Sequence, residues 1–102
     1  MLAAHIKQKY PDRVPVIIAR SPTSTSVPEI DKRKYLVPTD LTIGQFIYVI
    51  RRRIRLGPQQ ALFVFIDNRM LATALLMSQV YQDMKSPDGF LYIQYAGENT
   101  FG

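Results

Sequence analysis

Glu29-Ile30-Asp31-Lys32-Arg33-Lys34-Tyr35-Leu36-Val37-Pro38, running directly into Thr39-Asp40-Leu41-Thr42-Ile43-Gly44-Gln45-Phe46, is the stretch whose reading decides the fold. Extended from Lys32 to Val37, it sends Lys32, Lys34 and Leu36 to one face and Arg33, Tyr35 and Val37 to the other. That alternation reads as a strand. Its basic start, and Pro38 with no N–H to give to a ladder, place it at the edge of a sheet. An edge keeps a row of backbone donors and acceptors to which an extended peptide can add itself. At Thr42 the period changes. Thr42 and Gln45 have the spacing of a capping box, with Leu41 and Phe46 at the staple positions. Ile43, Phe46, Ile47, Ile50 and Ile54 then recur at helical spacing, a face that has to be covered by a sheet. Gly57-Pro58 is the expected stop, and Arg51, Arg52, Arg53 and Arg55 lie near the carbonyl end of the helix, where cations are favoured.

Working outward, Val14-Pro15-Val16-Ile17-Ile18-Ala19-Arg20 is an apolar run that predicts a central strand. A short helical segment from Met1 to Lys9 and a Tyr10-Pro11-Asp12 turn precede it. The proline- and hydroxyl-rich Ser21-Pro22-Thr23-Ser24-Thr25-Ser26-Val27-Pro28 reads as a loop. Downstream, Leu62-Phe63-Val64-Phe65-Ile66 predicts a buried strand ended by an Asp67-Asn68 turn. Thr73 to Met84 predicts a second helix with Leu76, Met77, Val80, Tyr81 and Met84 as its stripe. Ser86-Pro87-Asp88-Gly89 is a turn, and Phe90-Leu91-Tyr92-Ile93-Gln94-Tyr95 is the last strand. The order predicts an α+β domain of β-grasp type: a four-stranded mixed sheet covered by one amphipathic helix, with a short N-terminal helix. The expected divisions are a helical segment at 1–9, the domain at 10–96, and a flexible tail at 97–102.

At 102 residues the chain is long enough for one core. It has no cysteine and one histidine, His5, so disulfides, thiolate metal sites and a cysteine nucleophile are excluded, and a Ser-His-Asp arrangement is disfavoured. Neither a metal nor a cofactor is expected, nor is enzymatic activity. The absence of cysteine permits a reducing compartment such as the cytosol. No apolar run reaches the roughly 20 residues of a membrane span, and no signal-peptide pattern opens the chain. A net charge of +5 suits nucleic acid, anionic lipid or an acidic protein partner, and charge does not choose among them.

At Pro15-Val16-Ile17, Asp31 to Pro38, Leu41 to Phe46 and Gly89-Phe90-Leu91-Tyr92 the chain closely resembles the autophagosomal ubiquitin-like modifiers, the family that includes the GABA-receptor-associated protein. The similarity runs from about Tyr10 to Gly102. It implies a ubiquitin-like fold and recruitment of autophagy receptors and cargo that carry a short acidic aromatic-x-x-aliphatic motif, paired as an added strand along Lys34 to Pro38. By the resemblance, Ile6, Pro15, Ile17, Lys34, Leu36 and Phe90 form an aromatic pocket, and Tyr35, Val37, Pro38, Leu41, Phe46 and Val49 an aliphatic one. It also implies conjugation of Gly102 to phosphatidylethanolamine by activating and conjugating enzymes with catalytic cysteines, after a cysteine protease exposes that glycine. The protein is then expected in the cytoplasm, and on autophagosomal membranes once lipidated. The family carries two helices ahead of the position matching Tyr10, whereas nine residues precede it here, so a single shortened helix is expected.

Lys32, Arg33, Arg51 and Arg53 are the expected steering charges for acidic motifs. The bland reading of the basic edge is a solvated strand whose lysines block aggregation. Two rival functions share the composition. One is an adaptor that binds such motifs without being lipidated. The other is a nucleic-acid-binding domain built on Arg51-Arg52-Arg53, against which stands the lack of any RNA-binding strand motif or helix-turn-helix pattern. Protein partners and a lipid-tethered membrane are expected, and nucleic acid is not.

Overall fold

β1 (Arg13–Arg20) is the strand on which the sheet is assembled. Val14, Val16 and Ile18 alternate onto one face and are fully buried, leaving Pro15 and Ile17 on the other. The protein is represented by a computed structural model that describes residues 3–98. β1 pairs antiparallel with β2 (Lys34–Pro38), Val14 opposite Val37 and Val16 opposite Tyr35. On its other side it runs parallel to β5 (Leu91–Ala96), Val16 opposite Leu91 and Ile18 opposite Ile93. β5 in turn pairs antiparallel with β3 (Phe63–Ile66).

Among the described residues the sheet has five strands in the order β2-β1-β5-β3-β4, one more than the four expected from the sequence. The extra strand, β4 (Arg69–Met70), is two residues long and too short to leave an alternating pattern. It arises from the Asp67-Asn68 turn: both residues take positive φ, 50° and 64°, which matches the twist of a two-residue hairpin, so the chain folds straight back onto β3.

α2 (Ile43–Arg53) packs its apolar stripe onto the face formed by Val14, Val16, Ile18, Leu91 and Ile93. Ile43, Phe46 and Ile50 lie in that core, each worth roughly 1.5–3 kcal/mol of burial. The capping box forms as the spacing predicts. The Gln45 amide donates to the Thr42 hydroxyl at 3.1 Å, and the Thr42 amide to Gln45 Oε1 at 2.9 Å. The helix stops before Gly57. Arg55 adopts φ 58°, its amide donates to the Arg52 carbonyl at 3.3 Å, and the Leu56 amide donates to the Arg51 carbonyl at 3.0 Å. This is a Schellman ending built on a non-glycine residue.

α3 (Met77–Met84) begins four residues later than the Thr73 start expected from the sequence. The preceding segment is diverted to serve α2: the Ile43 amide donates to the Leu75 carbonyl at 2.8 Å and the Gly44 amide to the Thr73 carbonyl at 2.9 Å. The service is returned, with the Met77 amide donating to the Leu41 carbonyl at 2.8 Å and the Ser78 amide to the Thr39 carbonyl at 3.1 Å. Each helix start thus takes its missing acceptors from the loop before the other. α1 (Ala3–Lys9) packs at the start of β1, held by Lys7 Nζ donating to the Pro11 and Arg13 carbonyls at 3.0 and 2.8 Å.

Candidate functional site

Among the described residues β2 is an unpaired edge of the sheet, and the parity of its backbone decides what it can offer. The Ile18 amide donates to the Arg33 carbonyl at 2.8 Å, and the Thr39 amide to the Asp12 carbonyl at 3.1 Å, so these odd-numbered positions face β1. By the same alternation Lys34 and Leu36 turn their amides and carbonyls outward. Pro38, the last residue of β2, has no amide hydrogen to extend the row.

Two grooves flank this edge. The first, about 380 Å³, is walled by Ile6, Pro15, Lys34, Leu36 and Phe90, joined by Lys32 and Tyr35. Ile17, expected among its walls, lies opposite Lys34 and Tyr92 in the ladders but does not line the groove. Ile6 reaches it from α1, whose anchoring through Lys7 fixes the helix against the start of β1.

Phe90 is aimed by groups that the residue pattern did not single out. Its amide donates to Asp88 Oδ1 at 3.0 Å, the Tyr92 hydroxyl donates to Asp88 Oδ2 at 2.5 Å, and the Tyr81 hydroxyl donates to the Gly89 carbonyl at 2.7 Å. Gly89 sits at φ 86°, where a side chain would be strained. The Tyr92 hydrogen bond, with the Phe90 amide behind it, holds the Asp88 carboxyl below the usual carboxylate range, and the same bond raises the Tyr92 phenol.

The second groove, about 410 Å³, is lined by Tyr35, Tyr48, Val49, Arg52 and Arg53. Of the residues expected there, Tyr35 and Val49 are walls. Val37 and Phe46 are not: at 4% and 1% exposure they belong to the core, because the apolar side of β2 and the stripe of α2 face each other across it. Phe46 instead supports Tyr35 from within, edge to face at 6.4 Å between ring centroids. Pro38 and Leu41 are half-buried and line neither groove. Tyr48 and Arg52 were missed. Their signal was an aromatic off the apolar stripe of α2, four residues before an arginine, and the Arg52 guanidinium lies 5.8 Å from the Tyr48 ring centroid.

Tyr35 lines both grooves and so divides them. Lys32 Nζ lies 5.0 Å from its ring centroid. Its hydroxyl is buried without a hydrogen-bond partner among the described residues, and desolvation raises its pKa. Beside it Arg53 makes a two-point contact with Asp31, Nε to Oδ1 at 2.8 Å and an amino nitrogen to Oδ2 at 3.2 Å. This hydrogen bonding lowers the Asp31 pKa and raises that of Arg53. The expected steering charges therefore separate. Lys32 and Arg33 are exposed, Arg53 is paired, and Arg51 is tied to the following loop through the Gly57 carbonyl at 2.8 Å and the Gln60 carbonyl. A larger hollow of about 750 Å³, lined by Arg51, Arg52, Arg55 and Tyr48, sits at the C-terminal end of α2 and shares Tyr48 and Arg52 with the second groove. Gly102, the expected conjugation site, lies outside the described residues.

Comparison with known proteins places this geometry in a family context. The family model described as "Autophagy protein Atg8 ubiquitin like" matches residues 2–102. The chain is similar to autophagy-related protein 8 of Mycosarcoma maydis, 59% identical over 98% of this chain and 84% of the relative. It is also similar to autophagy-related protein 8e of Arabidopsis thaliana, 60% identical over 98% of this chain and 81% of the relative. Among solved structures, that of Trypanosoma brucei ATG8 superposes with a TM-score of 0.89 at 43% identity, covering 98% of this chain and 85% of that one.

Proposed function

The chain belongs to the Atg8 family of ubiquitin-like autophagy proteins, and from that premise we propose that it is a lipid-anchored adaptor that captures acidic aromatic-x-x-aliphatic motifs at the β2 edge. The observation that carries this reading is the outward row at Lys34 and Leu36 set between two grooves that share Tyr35. A ligand strand pairing with that row has its register set by backbone hydrogen bonds, and its side chains then fall alternately on the two faces of the sheet. Anchors three residues apart therefore fall on opposite faces, one into the groove on the Lys34 and Leu36 side and the other into the groove between Tyr35 and α2. Burying them supplies most of the affinity at roughly 25 cal/mol per Å² of apolar surface. The exposed Lys32, Arg33 and Lys34 speed the arrival of acidic flanks, an effect that weakens with salt.

The membrane anchor in this reading is phosphatidylethanolamine joined to Gly102. A terminal glycine enters narrow enzyme channels because it has no Cβ. The chain, having no cysteine, contributes only the carboxylate, so the thioester intermediates form on the thiols of activating and conjugating enzymes. The protein itself makes and breaks no bonds, and divides its time between the cytoplasm and autophagosomal membranes.

Titration of an acidic aromatic-x-x-leucine peptide tests the docking half. Lys34→Glu and Leu36→Ala are each expected to weaken it several-fold, and unchanged affinity in both overturns the site. Reconstitution with activating and conjugating enzymes, ATP and phosphatidylethanolamine vesicles tests the anchor. Vesicle-bound protein is expected for the wild type and not for Gly102→Ala, and binding without lipidation in the wild type selects the non-lipidated adaptor instead.

A further inference from the structure

The loop at 21–28 is firmly built for a segment so rich in serine, threonine and proline. Ser21 and Ser24 are fully buried. The Ser21 amide donates to the Tyr95 carbonyl at 2.8 Å, the Ser24 amide to the Ser21 carbonyl at 3.0 Å, and the Tyr95 hydroxyl to the Pro28 carbonyl at 2.6 Å. Both ends of the loop are therefore fastened to the end of β5. Its middle grips the two residues just beyond that strand: the Gly97 amide donates to the Ser24 hydroxyl at 3.1 Å, and the Ser26 hydroxyl donates to Glu98 Oε2 at 2.5 Å. Gly97 permits this approach, since a Cβ there would stand 2.3 Å from Ser26 Oγ and 2.7 Å from Val27 Cγ1. The two serines differ in access, Ser24 being buried and Ser26 exposed. Residues 97 and 98, expected as the start of a flexible tail, are in contact with the loop, while 99–102 lie outside the described residues.

We infer that Ser26 and Glu98 form a latch on the C-terminal segment, and that Ser26 is a phosphorylation site whose modification opens it. A serine/threonine kinase supplies the group from ATP. The Ser26 Oγ–P bond forms as the bond to the β-phosphate oxygen breaks, ADP departs, and the hydroxyl proton passes to the kinase's base. Unmodified, Ser26 is a neutral donor to a carboxylate, which is the stabilising arrangement. Phosphorylated, it has lost the donor and carries roughly 1.5–2 negative charges against Glu98 at neutral pH. Arg20, the guanidinium bonded to this loop, is not free to absorb the charge, being engaged with the Val27 carbonyl at 2.9 Å and Glu29 at 3.3 Å. Resting on the proposed function, the released segment is the one that carries Gly102 into its conjugating enzymes.

Hydrogen–deuterium exchange of the peptide containing Gly97 and Glu98 reads the latch directly. It is compared in the wild-type chain, a chain with phosphoserine installed at position 26, Thr25→Asp, and the phosphoserine chain combined with Glu98→Lys. Phosphoserine is expected to speed exchange by about threefold or more, since like charges at contact distance repel even in water. Thr25→Asp, one residue away on an exposed position, is expected to leave exchange unchanged, and Glu98→Lys to restore slow exchange beside phosphoserine. Unchanged exchange with phosphoserine, or an equal effect from Thr25→Asp, overturns the latch. Mass spectrometry of the chain recovered from its own cells is expected to find phosphate on Ser26, and a loop without phosphate there overturns the modification site. None of these readouts needs conjugation, so failure of Gly102 to become lipidated defeats the proposed function while leaving the latch standing.

Discussion

The two grooves beside β2 share Tyr35 and are otherwise built on different principles. The first draws its walls from α1, β1, β2 and the residue ahead of β5, elements joined only through the tertiary fold. The second sets Tyr35 against Tyr48, Val49, Arg52 and Arg53, neighbours on successive turns of α2. A groove assembled across elements keeps its shape only while sheet register, N-terminal helix and the 86–89 turn all hold. One on a helix face is set by the helical repeat and reshapes by rotamer changes alone. The first is the more exacting in shape and the more fragile, and the second is the more adaptable.

The severest way to break this contrast is to remove the support beneath Tyr35, the wall common to both. Phe46→Ala opens a cavity under Tyr35 in a side chain that is 1% exposed, with an expected stability loss of about 3–5 kcal/mol in urea denaturation. A loss under about 1 kcal/mol would mean that the core repacks and that Tyr35 needs no such support. A milder pair of changes sharpens the contrast. Phe90→Ala, taking a wall from the first groove, is expected to weaken an acidic aromatic-x-x-leucine peptide about tenfold by calorimetry, equivalent to about 1.4 kcal/mol. Val49→Ala, on the adaptable groove, is expected to cost about threefold or less. Equal losses would remove the distinction between the two.

The smallest effect lies at the rim. Arg53 holds Asp31 ionised below its ordinary range, so the pair contributes at neutral pH and its contribution disappears as pH falls through the lowered value in the folded protein. Because the pair is exposed, Asp31→Asn is expected to shift melting only slightly at pH 7 while flattening its acid-side dependence. An unchanged acid-side slope would show that the pair is not formed in solution.

Parts of this architecture were plain in the residue pattern. Thr42 and Gln45 marked the start of α2, and the alternation from Lys32 to Val37 marked β2, with Lys34 and Leu36 on one face and Tyr35 and Val37 on the other. Other parts were hidden where the chain answers to distant partners. α3 starts at Met77 because the carbonyls of Thr73 and Leu75 are spent on the amides of α2, a demand that no window around Thr73 reveals. Arg55 ends α2 in a conformation that favours glycine, so Gly57 drew the boundary too late. In the candidate site, Val37 and Phe46 carried the right residue type for a pocket, yet packing placed them behind its wall. The five-stranded sheet turned on two residues at positive φ.

What the sequence by itself determined is local: which segments extend, where α2 begins, which side of β2 is apolar, and that no thiol chemistry belongs to the chain. These features reflect interactions between residues a few positions apart, which periodicity records directly. The tertiary structure alone decided that Tyr35 divides two grooves, that Ile17 stands outside the first of them, and that Ser26 reaches Glu98. Those contacts join positions far apart in the chain, and their geometry is fixed only when the whole core closes and each backbone group has found its partner.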